Sequence, residues 1–414
     1  MSMRSDLDRL MGEYRLDAIV VISDETPNPF RDYLTNCAKA HGHIFKKRDE
    51  PAVFVVSGME VDEAAKSGLR VMTHHDFEFA QLYNQFGDQP MRLRRELFLN
   101  YLRKLGIRGR VGLYGTTAIH TFLPNLLSLL NDAQELTLAL DEESLALFSR
   151  MFETKDAAEI AALQEVARLT CEVVRRAWRF LSTHYASAEA VGSPVVDETG
   201  APLTIGAVRR YIRQQEMALG LEDSQGFIFA QGRDSGVPHS VGEDSQVLEV
   251  GRTIVFDIFP RGASGYYHDM TRTWSLGCAT EEVQAAYDDV MSAFRMVMEA
   301  LKVGEPASRY QSMVLDYFEG RGHPTQRSQP GTMSGYVHSL GHGIGLNVHE
   351  APTFGEKSKH VLQIGNAFTV EPGLYYPERG YGVRVEDSVY IDESGTLQRL
   401  TDFPYDLVVP LRRR

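Results

Sequence analysis

The sequence predicts a chain in two parts: an α/β layer structure over residues 1–150, then a larger part over 151–414. Three observations carry this reading. Candidate strands alternate with candidate helices through the first 150 residues, the pattern of layered α/β folds. A junction falls near Phe152–Lys155, just before a long amphipathic helix. Beyond residue 218 the chain turns strand-rich, and carboxylates stand inside apolar strands.

In chain order, residues 4–15 read as an amphipathic helix and Ala18–Ser23 as a strand. Ala52–Ser57 reads as another strand, with a helix after it. Residues 91–105 form a charged helical pattern, Val111–Tyr114 a strand, and Thr116–Leu130 a helix that contains Pro124. His41 and His43 flank a glycine with no cysteine or carboxylate near, which favours a loop or substrate-facing place over a metal site. Thr154 is a candidate N-cap. The stripe Ile160, Leu163, Ala167, Cys171, Val174, Trp178 marks the apolar face of the long helix behind it. Pro194, Pro202, Gly192 and Gly200 mark a loop over 188–203, and Ile205–Ala218 reads as a second helix.

The stretch Thr253–Thr273, TIVFDIFPRGASGYYHDMTRT, reads as two strands, 253–259 and 266–274, joined by a glycine-containing loop. Asp257 interrupts an apolar run, where a carboxylate is costly to bury unless paired or bound to a metal. Asp269 follows on the second strand, and a hairpin brings the two acids together. Such a pair repels unless a cation sits between. The plainer alternative is that Asp257 faces solvent on a half-buried strand. Four further places join them: His239 in GVPHS; His338, His342 and His349 among glycines in HSLGHGIGLNVHE; Glu371 before Pro-Gly; and Glu386 in GVRVEDSVYI. Arg384, two residues before Glu386, shares its strand face and is placed to orient it. Oxygen-rich ligands with one imidazole suit hard or borderline divalent cations. The HExxH zinc motif is absent, since Thr353 stands where its second histidine belongs. Neither a GxGxxG loop nor a GxSxG elbow is present.

Composition narrows the classes. The formal charge is −13 with no dominant basic patch, which argues against a nucleic-acid partner. No run of apolar residues suits a membrane span or a signal peptide. Cys37, Cys171 and Cys278 are few and odd in number, as expected of a reducing cytoplasm without a disulfide framework.

With these motifs in view, residues of about 155–410 resemble the pita-bread metallopeptidases: prolidases, aminopeptidase P and methionine aminopeptidase. The family's ordered metal ligands match Asp257 in VFDIFPR, Asp269 in HDMTRT, His342 in GHGIG, Glu371 in VEPG and Glu386 in RVEDS. His239 matches its upstream catalytic histidine, His349 the histidine of its HE pair, and Arg384 its arginine before the last glutamate. One departure is visible. The family's two aspartates are usually eleven residues apart and here stand twelve apart, so the DIFPRGASG loop carries one extra residue.

The resemblance implies an α+β chain: a C-terminal pita-bread (creatinase/aminopeptidase) domain over 151–414 and an N-terminal α/β creatinase-like domain over 1–150. It implies two divalent metal ions per subunit, manganese foremost and cobalt, zinc or iron as alternatives. Asp269 and Glu386 would bridge them, Asp257 would hold one, and His342 with Glu371 the other. A metal-bridging hydroxide, available because bound water drops from a pKa of about 16 toward about 7, would attack an X-Pro bond. Glu371 would carry the proton, and His239 and His349 would hold the carbonyl oxygen. Tyr266, Tyr375 and Tyr376 are candidate walls for the proline ring, and His338 a contact behind the ligands or toward proline. The expected protein is a cytoplasmic homodimer that cleaves small peptides with proline after the scissile bond, as dipeptidase or aminopeptidase. Two other readings stay open: a non-peptide hydrolase or lyase on the same scaffold, and a catalytically silent binding protein.

Overall fold

The computed structural model describes residues 6–24, 27–133 and 135–413. The chain divides into two compact units, Met1–Met151 and Phe152–Arg414.

The first unit is built on a six-stranded mixed sheet. Its order is Arg70–Thr73, Val53–Val56, Gly42–Lys47, Ala18–Ser23, Gly109–Thr116 and Leu136–Leu138. Ala18–Ser23 runs parallel to Gly109–Thr116 and antiparallel to Gly42–Lys47. The expected helices form over Leu7–Glu13, Pro90–Leu105 and Ile119–Asp132. Pro124 lies inside the last of these. Its missing N–H deprives the carbonyl of His120, an exposed residue of the first turn, of its helical partner. His43 is not in a loop. It sits on the Gly42–Lys47 strand, where Ile44 and Phe45 are both buried, so no alternating pattern advertised that strand.

The second unit opens with the helix Ala157–Leu181. Its N-cap is Asp156 rather than Thr154. The Asp156 carboxylate accepts from the Ala158 and Glu159 amides, and the Glu159 carboxylate accepts from the Asp156 amide at 3.0 Å. This reciprocal capping box wins over a lone threonine. The helix Ile205–Ala218 begins behind Thr204, which caps Ala207.

Two sheets follow. One has the order Val408–Val409, Met270–Leu276, Thr253–Ile258, Ile228–Gln231. The other has the order Glu350–Thr353, His342–Gly343, Ala367–Val370, Asp387–Ile391, Leu397–Arg399. A separate hairpin pairs Gly373–Tyr376 with Tyr381–Arg384. The helices Glu281–Ala300 and Ala307–Gly320 bury Val290, Phe294, Val314 and Phe318 against Phe368, Val370, Leu374 and Val383 in one apolar core. Such burial is the main favourable term in folding, at about 1.5–3 kcal/mol per large apolar side chain.

The sheets are joined by polar side chains. Arg272, wholly buried, donates to the carbonyls of Thr271, Glu386, Phe403 and Pro404 and to Asp387 Oδ1, at 2.8–3.0 Å. One guanidinium thus fastens the Met270–Leu276 strand to the start of Asp387–Ile391 and to the tail at 403–404.

A second buried group lies on the Ile205–Ala218 helix. Glu216 is 2% exposed, and its Oε2 has no hydrogen-bond partner. Burial, reinforced by Asp223, pushes its carboxyl from 4.5 up to about 8. A raised carboxyl stabilises the fold fully below its unfolded value, and that contribution fades as pH climbs through the folded one. Stability should therefore fall between about pH 5 and pH 8, by up to roughly 1.4 kcal/mol per pH unit from this group. Urea melts of Glu216→Gln at both pH values should show a flatter dependence than the parent. An unchanged slope would clear Glu216 of that role.

Candidate metal centre

The hairpin places the first two acids. Thr253–Ile258 pairs with Met270–Leu276 so that Asp257 faces Thr271 and Ile258 faces Met270. Asp269 therefore stands one residue before the second strand, not within it. Beyond that pair the ladder turns irregular: the His268 amide donates to the Pro260 carbonyl at 3.3 Å, Arg261 bridges Tyr267, and the Tyr267 amide is given to the Gly345 carbonyl at 2.8 Å. Asp257 does not face solvent: every residue of its strand is buried. Glu386 lies between Tyr381–Arg384 and Asp387–Ile391, where the chain crosses from the small hairpin to the five-stranded sheet. Its amide donates to the Thr271 carbonyl at 3.1 Å, which brings it beside Asp269. Glu371 directly follows Ala367–Val370, and His342 opens the short strand next to it. The glycines around His342 are required by close packing. A Cβ at Gly341 would strike the Thr369 carbonyl, and one at Gly343 the Ala351 carbonyl.

These residues meet. His342 Nε2 lies 3.3 Å from Glu371 Oε1 and 3.7 Å from Asp269 Oδ2. Asp269, His342 and Glu386 each offer one ligand atom, all within 4.8 Å of one another. His342 Nδ1 faces the Gly343 carbonyl at 3.1 Å, which assigns its proton to Nδ1 and leaves the Nε2 lone pair toward the acids. Burial, with His349 adding to it, drops this imidazole to about 3, so it is neutral near pH 7. Asp257 Oδ1, Asp269 Oδ1 and Glu386 Oε1 are buried with no hydrogen-bond partner. Burial and mutual repulsion hold Asp269 and Glu386 far above the usual carboxylate range, and burial lifts Glu371 to about 8. Lone pairs and orphaned carboxylate oxygens that face one another are satisfied by positive charge placed among them. The donor set is four carboxylates and one imidazole, which fits divalent cations.

Around the centre runs a hydrogen-bonded chain. Arg384 Nη2 donates to Asp257 Oδ2 at 2.6 Å, its Nε to Thr271 Oγ1 at 3.0 Å, and its Nη1 to the Tyr375 hydroxyl at 2.9 Å. Thr271 Oγ1 in turn donates to Glu386 Oε2 at 2.7 Å. Arg384 thus pairs directly with Asp257 and reaches Glu386 only through Thr271. His338 Nδ1 faces the Ser339 carbonyl at 2.8 Å, and its Nε2 accepts from the Tyr375 hydroxyl at 2.9 Å. Burial drops its pKa to about 4. Both its nitrogens are used, which leaves it no free donor for a substrate.

His349 is exposed, with its ring centre 4.2 Å from that of His342. His239 is exposed as well. The neighbouring Glu350 belongs to a buried ion pair with Lys155 at 2.7 Å. Of the three tyrosines, only Tyr375 touches the site. Tyr266 donates to Glu159 Oε1 at 2.8 Å, and Tyr376 bonds His323 Nδ1 at 2.6 Å within the apolar core. Tyr375 and Tyr376 are neighbours on one strand and so point to opposite faces. His41 belongs to the first unit, exposed and 3.7 Å from Glu60.

Sequence reasoning missed Thr271 and Arg272, although both lie in HDMTRT. Strand alternation was the available signal: Asp269, Thr271 and Thr273 fall on one side, Arg272 on the other.

A fold and a donor set of this kind define a metallopeptidase, and the chain belongs to metallopeptidase family M24, whose model matches residues 161–393. Among its relatives, an uncharacterised peptidase YqhT of Bacillus subtilis is 29% identical over 310 residues, covering 74% of this chain and 75% of its own. A Xaa-Pro dipeptidase of Pyrococcus furiosus is 36% identical over 183 residues, covering 44% of this chain and 48% of its own. Among solved structures, a Xaa-Pro dipeptidase from Bacillus anthracis superposes with a TM-score of 0.74 at 22% identity, over 99% of this chain and 100% of that one. An X-Pro aminopeptidase from Thermotoga maritima gives 0.73 at 20% identity, over 97% and 99%. At these identities the structural likeness establishes the fold. The expected α+β class with its pita-bread unit holds. Among the described residues, no helix is long and apolar enough to cross a membrane.

Proposed function

We propose that the chain is a cytoplasmic dinuclear metallopeptidase that hydrolyses X-Pro bonds in small peptides and works as a homodimer. The observation that carries the metal reading is the convergence of orphaned oxygens from Asp257, Asp269 and Glu386 in the His342–Glu371 cluster. The X-Pro preference is supported by the Pyrococcus and Bacillus anthracis proteins, which are named for it.

Asp257, Asp269, His342, Glu371 and Glu386 would hold two divalent cations, manganese foremost. When bound, these supply Lewis acidity and make water a competent nucleophile near pH 7. The remaining work falls to the chain. Glu371, 3.3 Å from His342 in the cluster, is suited to take a proton from water and return it to the leaving nitrogen. His349 and His239, both exposed, are suited to donate to the scissile carbonyl oxygen as charge builds there. Arg384 fixes Asp257 and spreads positive charge over a cluster of four acids. The leaving nitrogen of an X-Pro bond has no N–H, so selection rests on the shape of a pocket rather than on a donor contact.

Chelation should inactivate the protein and added manganese should restore it. An X-Pro dipeptide and an X-Pro-Y tripeptide then sort the activity. Cleavage of the dipeptide alone marks a prolidase, and cleavage of the tripeptide marks an aminopeptidase P. Full activity in the chelated protein, or no cleavage of either peptide after metal loading, would overturn the proposal.

A further inference from the structure

The unit Met1–Met151 contains a cavity of about 690 Å³, within the size range of small-molecule sites. It lies at the carboxyl end of the sheet. Ser23 ends the Ala18–Ser23 strand, Thr117 follows Gly109–Thr116, and His74 follows Arg70–Thr73, and all three line it. Open α/β sheets bind ligands in the crevice at this end. Phe79, Phe98, Tyr101, Phe122 and Leu126 make most of its wall apolar and aromatic.

Its polar groups are few and their states can be read. His43 Nδ1 accepts the Ser23 amide at 3.2 Å, which puts the ring proton on Nε2. That Nε2–H has no described partner, and the ring is held edge-on by Phe98 at 5.9 Å. Burial drops His43 to about 4 and also lowers His74, so both rings are neutral near pH 7. Two arginines line the cavity. Arg95 is paired with Glu96 and Asp132. Arg94, exposed at the rim, makes no ion pair among the described residues. Asp24, the one acid among the described lining residues, interacts within the protein, and its charge also acts on His43. Among the described residues the cavity therefore offers the Arg94 guanidinium, which makes no ion pair, the His43 Nε2–H among its neutral donors, and an aromatic body.

We propose that this cavity is a binding site for a small apolar monocarboxylate, its carboxylate on Arg94 and the His43 Nε2–H and its body among Phe79, Phe98 and Phe122. A guanidinium grips a carboxylate through two parallel hydrogen bonds, which a neutral amide cannot match. The assignment stands apart from the peptidase reading, because no residue of the metal centre lies in this unit.

Calorimetric titration of the full chain with phenylbutyrate tests it, with phenylbutyramide as the uncharged control. The acid should bind one to one and more tightly than the amide. Arg94→Gln, an exposed change that leaves the core intact, should weaken the acid at least about tenfold. Leu126→Trp, which fills the cavity, should weaken it too. Asp269→Ala should bind the acid as the parent does, and Arg94→Gln should cleave peptide at the parent rate. Absence of binding, equal binding of acid and amide, or parent-like affinity in Arg94→Gln overturns the site. Loss of binding in Asp269→Ala would move the ligand to the metal centre and overturn it as well.

Discussion

Asp269→Ala is expected to lose activity by on the order of a thousandfold or more, together with its bound metal. Asp269, His342 and Glu386 form the close triad of the cluster. Asp269 lies 3.7 Å from His342 Nε2, with Glu386 beside it and one oxygen unpartnered. Its removal takes one carboxyl from a set that burial and repulsion already strain. The metal-free variant should accordingly melt no lower than the metal-free parent, while added manganese should raise the parent's melting temperature and leave the variant's nearly unmoved. That combination separates a ligand from a merely structural aspartate. A variant that unfolds without metal, or that keeps full activity, would remove Asp269 from the role.

Arg272→Ala is expected to cost about 3–5 kcal/mol of stability, because it leaves the buried Asp387 carboxylate without its cation. A loss of that size is a large part of an ordinary folding free energy of about 5–15 kcal/mol. The side chain also serves four carbonyls, including that of Glu386, and packs over the Tyr405 ring with 4.5 Å to its centre. Arg272→Lys should recover little, since one ammonium cannot reach five acceptors spread over three segments. Denaturant melts of both variants decide this. Parent-like stability in Arg272→Lys would show that charge alone suffices at this position.

Three of the candidate metal ligands were legible because each carried a local anomaly. Asp257 sat in an apolar run, Glu371 at a strand end before Pro-Gly, and His342 between glycines. Their order and contexts resembled one family, which gave the fold before any geometry was known. The hydrogen-bonded chain was less legible. Arg384 shares the face of Glu386 in sequence, yet its closest partner is Asp257, 127 residues earlier. Only the fold brings those two together. Tyr266, Tyr375 and Tyr376 looked equivalent as aromatic candidates, and long-range contacts sent two of them into the core. The Gly42–Lys47 strand, buried without alternation, gave no periodic signal, so nothing in the sequence set His43 on a strand. The helix start moved from Thr154 to Asp156 because a reciprocal cap with Glu159 outcompetes a single hydroxyl.

The most direct measurement is anomalous scattering from crystals grown with manganese. Two peaks per chain should lie among Asp257, Asp269, His342, Glu371 and Glu386, and both should vanish in Asp269→Ala. Peaks elsewhere in the molecule, with these five side chains left bare, would contradict the claim that cations draw them together.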